Sequence, residues 1–170
     1  MRAYSAGIHE QTLSIHLYNQ SAASEQVLSD LKRTVDEVFS HTSFTIVWVE
    51  PLSKGRSGIK RVEQNAQQDI HLTIVDSKTG IDHRIMGAAT LGTGRATVYY
   101  RRAQVLARMA DCQVSTGEIL GYAASHEIAH LILHSSDHSA KGVLKRDWSR
   151  DDFCDMSESH FWFSGEFGRR

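Results

Sequence analysis

The 170-residue chain has one proline and two cysteines. One proline leaves no Pro-rich linker or polyproline segment to consider. The two cysteines, Cys112 and Cys154, show no framework spacing, so they are read as unpaired structural thiols, with one disulfide as the alternative. Excess charge of one sign is also missing: 19 basic against 20 acidic side chains leave a net charge of −1. That balance excludes a strongly basic nucleic-acid binder and a disordered charged tail. No apolar run approaches the ~18 residues a membrane helix needs. The first ten residues lack the apolar core of a signal peptide. The expected location is cytoplasmic if the chain is complete, and secreted or periplasmic if a leader was removed. No repeat, low-complexity stretch or internal linker divides the sequence, so a single domain over 1–170 is expected.

What remains is an ordinary globular composition, 41% hydrophobic and 23% charged. A chain of this length can bury roughly 70% of its unfolded surface without a disulfide scaffold. Thr12–Tyr18 alternates, with Leu13, Ile15 and Leu17 on one face, and predicts a half-buried strand. Glu25–Ser40 repeats its apolar residues at three and four spacings behind cap candidates in Ser21–Ser24, and predicts a helix. Phe44–Val49 is β-branched and aromatic and reads as a strand stopped by Pro51. Ser53–Gln68 and Ser77–Arg84 are polar and read as loops, flanking an alternating strand at Asp69–Asp76. Ile85–Leu91 and Ala96–Tyr100 are two further strands around a Gly92-Thr93-Gly94 turn. Tyr99–Arg102 reads as a strand end with solvated charges. Helices are predicted at Ala103–Met109, from Ser115/Thr116 through Ile119 to Leu133, and after Ser149, an N-cap followed by acids. This order places the chain in the α+β or α/β class.

The chemistry concentrates in His126-Glu127-Ile128-Ala129-His130, an HExxH motif inside an apolar helical pattern. Residues four apart share one helix face, so both imidazoles can reach one metal ion. Catalytic zinc takes three protein ligands and keeps a position for water, whose proton Glu127 can accept. Four of the ten histidines lie between His126 and His138. The third ligand has three nearby candidates: His134, Asp137 and His138. On an unbroken helix His134 lies about 12 Å along the axis from His126, too far to share an ion. His138 follows a polar turn, so the chain can double back toward the helix, and it is favoured. A distant Glu158 is a further alternative. Other motifs carry less. Gly92-Thr93-Gly94 lacks a following Gly-Lys-Ser/Thr and is no phosphate cradle. Ser125 has no nucleophile elbow. His160–Phe163 reads as a packing segment.

The stretch HEIAHLILHSSDHSAKGVLKRDWSRDDF resembles the active-site region of small bacterial metzincin-like zinc metalloproteases. His126, Glu127 and His130 match the ligand and general-base positions, and His138-Ser139 matches the third ligand with its following serine. Gly142–Lys145 matches the Met-turn segment, and Trp148–Asp152 the tail beyond it. His134 stands where the family has glycine, and Leu144 where it has the Met-turn methionine. The resemblance implies an α+β fold: a mixed, twisted sheet of about five strands on a backing helix and an active-site helix. It implies a division near residue 133, with 134–170 as a small C-terminal subdomain. It also implies that Ile85–Leu91 is an edge strand along a cleft, where a peptide or protein substrate could add as a strand. The expected function is zinc-dependent endopeptidase, with Glu127 catalytic and His126, His130 and His138 holding one Zn2+. The alternative is a catalytically silent zinc-binding or peptide-binding module on the same fold; a zinc hydrolase of non-peptide amides is a third possibility.

Overall fold

The structure is a computed structural model that describes residues 11–49, 68–76, 85–165 and 167. The loop readings at 53–67 and 77–84, the stop at Pro51 and the first ten residues lie outside them. The elements run β1 (Gln11–Gln20), α1 (Glu25–Ser40), β2 (Phe44–Val49), β3 (Gln68–Val75), β4 (Gly87–Thr90), β5 (Arg95–Tyr99), α2 (Tyr100–Met109), α3 (Thr116–Leu133) and α4 (Arg150–Ser157). The fold is α+β, with a mixed five-stranded sheet in the order β2-β1-β3-β5-β4. β2, β1, β3 and β5 run parallel, and β4 pairs antiparallel with β5 at one edge. No helix among the described residues is long and apolar enough to cross a membrane.

The parallel register builds one apolar face. Leu13 lies opposite Ile46, Ile15 opposite Trp48 and Ile70, Leu72 opposite Leu17 and Ala96, and Ile74 opposite Val98. Leu13, Ile15, Ile70, Leu72, Ile74 and Val98 are almost wholly buried. Each such aliphatic side chain contributes about 1.5–3 kcal/mol by leaving water. The other face is polar, where His16 stacks on His71 at 4.9 Å. Ser14 is nonetheless buried on it.

Helices α1 and α3 start where their caps are. Ser24 accepts from the Val27 N–H, and Ser115 forms a reciprocal capping box with Glu118. The two helices meet through Gly117 and Gly121, one turn apart on α3. A Cβ on Gly121 would stand 2.5 Å from Thr34 Cβ and 2.9 Å from Leu31 O. Hydrogen in place of a side chain is what lets the backbones approach. Val143, Phe153, Met156 and Phe161, from the chain after α3, belong to the same buried cluster as the sheet. Phe161 meets Tyr122 edge-on at 5.6 Å, the packing expected of that aromatic segment.

Three expectations need correction. Tyr100 opens α2 instead of closing β5. The strand stops at Tyr99 because its partner β3 ends at Val75, and the Arg101 N–H is taken by Asp76 O at 3.0 Å. Of the two charges expected to be solvated there, Arg101 is exposed but Arg102 is half-buried, beside buried Tyr99 and Tyr100. Cys112 and Cys154 are not free thiols; they form a disulfide. α4 folds back so that Cys154 stands beside the α2–α3 connection, with the Cα atoms 5.2 Å apart. A separation of 42 residues leaves no local pattern to announce that pairing.

The glycine contact gives a stability test. Gly121→Ala improves helix propensity by about 1 kcal/mol. It should still destabilise the protein by about 1–3 kcal/mol, because backbone and a branched side chain must shift. Urea unfolding measures this; an unchanged or raised midpoint would refute the close approach.

Candidate metal centre

α3 is buried on all sides from Ile119 to Leu131. His126, Glu127 and His130 are thus polar groups in a core, each less than a tenth exposed. Such groups are costly unless hydrogen-bonded. Both imidazoles find backbone acceptors: His126 Nδ1 donates to Val143 O at 2.7 Å, and His130 Nδ1 to Ser135 O at 2.8 Å. A carbonyl only accepts, so the proton of each neutral ring sits on Nδ1 and Nε2 keeps its lone pair. The two Nε2 atoms lie 2.9 Å apart. Two lone pairs facing each other in a core repel, and a cation between them removes the repulsion.

The acceptors come from the way α3 ends. His134 takes the left-handed conformation, with φ of 49°. The His134 N–H bonds back to Leu131 O at 3.4 Å and the Ser135 N–H to His130 O at 3.3 Å. This is the Schellman pattern that closes a helix and reverses the chain. It turns the Ser135 carbonyl onto the His130 ring. Glycine is the usual residue at such a position, and a side chain there costs about 1 kcal/mol. His134 is exposed and does not join His126 and His130.

A second turn supplies the other acceptor. Ser139 pairs with Lys145, and Gly142 with Phe163, in isolated bridges. Gly142 has φ of 71°, and a Cβ there would overlap the Trp162 carbonyl. The turn places Val143 O on His126 and buries Leu144. Between the two turns stands exposed His138. One ring nitrogen from each of His126, His130 and His138 falls within 4.8 Å of the others, close enough to bind one metal ion. Among the described residues this is the one such group; Asp137 and Glu158 are not in it. Three imidazoles form a donor set suited to zinc, copper, iron or nickel.

Glu127 faces the sheet edge. Ala89, in β4, donates its backbone N–H to the carboxylate. A Cβ on Gly87 would lie 2.8 Å from Glu127 Cγ and 2.7 Å from Thr97 O, so glycine is what admits the carboxylate there. Burial pushes Glu127 up to about 8, against the Ala89 hydrogen bond. Burial also pushes His126 down to about 4, helped by His130 and His138 and opposed by Val143 O. A bound divalent cation inverts such shifts, because its charge outweighs desolvation. His126, Glu127 and His138 line a cleft of about 550 Å³, whose wall includes Met86, Leu106 and Trp148.

Neither a scan of known protein families nor a search of curated proteins finds a match to the chain. Sequence reasoning did not single out the two carbonyl acceptors, Ser135 O and Val143 O, or Gly87. The acceptors are backbone atoms and carry no side-chain signature; an isolated glycine in a short strand was the available signal for Gly87.

The left-handed helix end can be tested directly. His134→Gly should raise unfolding stability by about 1 kcal/mol by relieving the conformational penalty. Denaturant midpoints of the two proteins measure it; a lower midpoint for the glycine variant would show that the imidazole itself supports the turn.

Proposed function

We propose that this protein is a zinc-dependent metallopeptidase of metzincin-like design. The observation that carries the reading is the pair of buried Nε2 lone pairs 2.9 Å apart, with both Nδ1 protons committed to carbonyls. His138 offers a third nitrogen to the same point, and Glu127 lies on the same helix. His126, His130 and His138 would hold the ion. Zinc bound there supplies Lewis acidity toward a scissile carbonyl and brings the pKa of water toward about 7.

The chain's own groups do the rest. Glu127 accepts the proton of the attacking water and returns it to the leaving amine. The Ala89 N–H holds one face of that carboxylate in place. Among the described residues β4 is the edge strand beside the cleft, paired only with β5. An extended peptide can add along such an edge and be held by main-chain hydrogen bonds next to Glu127. Leu144 fills buried volume where the resembling proteases have methionine, a side chain that packs and does not ligate; a similar apolar volume satisfies that role.

Metal analysis of the purified protein by mass spectrometry, without added zinc, should find about one zinc per chain. His126→Ala and His130→Ala should each lose it. Glu127→Gln should keep the metal and lower turnover of a peptide-library substrate about 10²- to 10⁴-fold. Chelation should abolish turnover. A protein that neither carries nor takes up metal would overturn the reading, and so would undiminished turnover in Glu127→Gln. Metal retained with no turnover of any peptide would instead identify a silent binding module.

A further inference from the structure

The cleft beside the histidines holds a cation that no group among the described residues accounts for. Arg102, in the first turn of α2, lines the cleft together with His126 and Glu127. It is half-buried, and its Nε has no hydrogen-bond partner among the described residues. Among the described residues no carboxylate pairs with it, in contrast to Lys145. Lys145, which also lines the cleft, is bonded to Asp152 at 2.5 Å. Arg146 also lines the cleft, but it is exposed and not half-buried like Arg102. Glu127 is held by the Ala89 N–H.

A second unanswered donor lies in the same wall. The indole Nε1 of Trp148 is buried without a hydrogen-bond partner among the described residues. Arginine and tryptophan side chains donate and cannot accept. Buried donors left unsatisfied are costly, so a cleft that carries two of them is built for an acceptor. A guanidinium fork matches a carboxylate in both charge and shape. Met86, Leu106 and Phe153 give the surrounding wall its apolar part, which strengthens an ion pair by excluding water.

We infer that Arg102 is a specificity residue that draws a carboxylate of the bound peptide into this cleft. The carboxylate comes either from an aspartate or glutamate flanking the cleaved bond or from the peptide's own C-terminus. The inference rests on the peptidase reading for the identity of the ligand, but its test does not depend on turnover. Arg102 acts on binding and is not part of the hydrolytic machinery.

Binding is measured by NMR titration of the purified protein with four probes: acetyl-Ala-Ala-Asp-amide, acetyl-Ala-Ala-Asn-amide, acetyl-Ala-Ala-Ala with a free carboxyl terminus, and its C-terminal amide. The carboxylate member of one pair should bind about 10- to 100-fold tighter than its neutral partner. The Asp/Asn pair reports the side-chain source, the acid/amide pair the terminal one. In Arg102→Gln that preference should vanish, and in Arg102→Lys, which keeps the charge, part of it should survive. Equal binding of both members of both pairs, or no binding by any probe, overturns the inference. A preference that persists in Arg102→Gln also overturns it, by moving the selectivity to another cation. If Arg102→Gln does not fold, the two wild-type comparisons and Arg102→Lys still decide. Carboxylate selectivity in a protein that hydrolyses nothing would sustain the role of Arg102 while removing the peptidase reading.

Discussion

Polar side chains on a helix buried on every side are costly unless answered from elsewhere, and three of those on α3 are. Two of them, His126 and His130, receive main-chain carbonyls from the chain that follows the helix. That requirement shapes residues 134–145. The helix has to stop at Leu133, reverse through a left-handed residue, and return along a second turn that brings Val143 O under His126. A straight continuation of α3 would leave both rings without acceptors and their tautomers undefined. His138 stands beside the other two rings because it lies on the path between these turns.

The third polar group is answered from the opposite direction. Glu127 takes its hydrogen bond from the sheet edge. Small residues make this possible at two depths. Gly117 and Gly121 let α3 lie close on α1, and Gly87 leaves room for the Glu127 side chain against β4. The helix is therefore positioned by absences of side chain on both sides, with the histidines and glutamate projecting into the space that remains. Rigid packing of this kind holds polar groups in a fixed arrangement before any ligand arrives.

The sequence made local features legible and left distant ones dark. His126, Glu127 and His130 could be read because helical spacing places residues four apart on one face. The caps Ser24, Ser115 and Ser149 could be read because their hydrogen bonds reach only three residues. His138 required a second step, the argument that the chain must turn back. The acceptors that orient the rings are backbone atoms, identical in every residue, so no residue type points to them. Arg102 was read as a solvated charge because the end of β5 depends on where β3 ends, a fact about pairing and not about composition. The cysteine pair was misread for a similar reason: only the return of α4 brings its two halves together. The sharp motifs of the metzincin-like resemblance lie in Ser125–Asp152 and are independent of these pairings.

The disulfide has a topological consequence. Cys112 lies before α3 and Cys154 within α4, so the covalent ring they close contains His126, Glu127, His130, His138 and both carbonyls that orient the rings. A single break of the backbone anywhere between those cysteines would not yield two separable fragments. The pieces would stay tethered, with every member of the histidine cluster still on one connected molecule. For a site built from short turns exposed on the surface, as Ser136, Asp137 and Ala140 are, that connectivity turns a nick from a dismantling event into a local one.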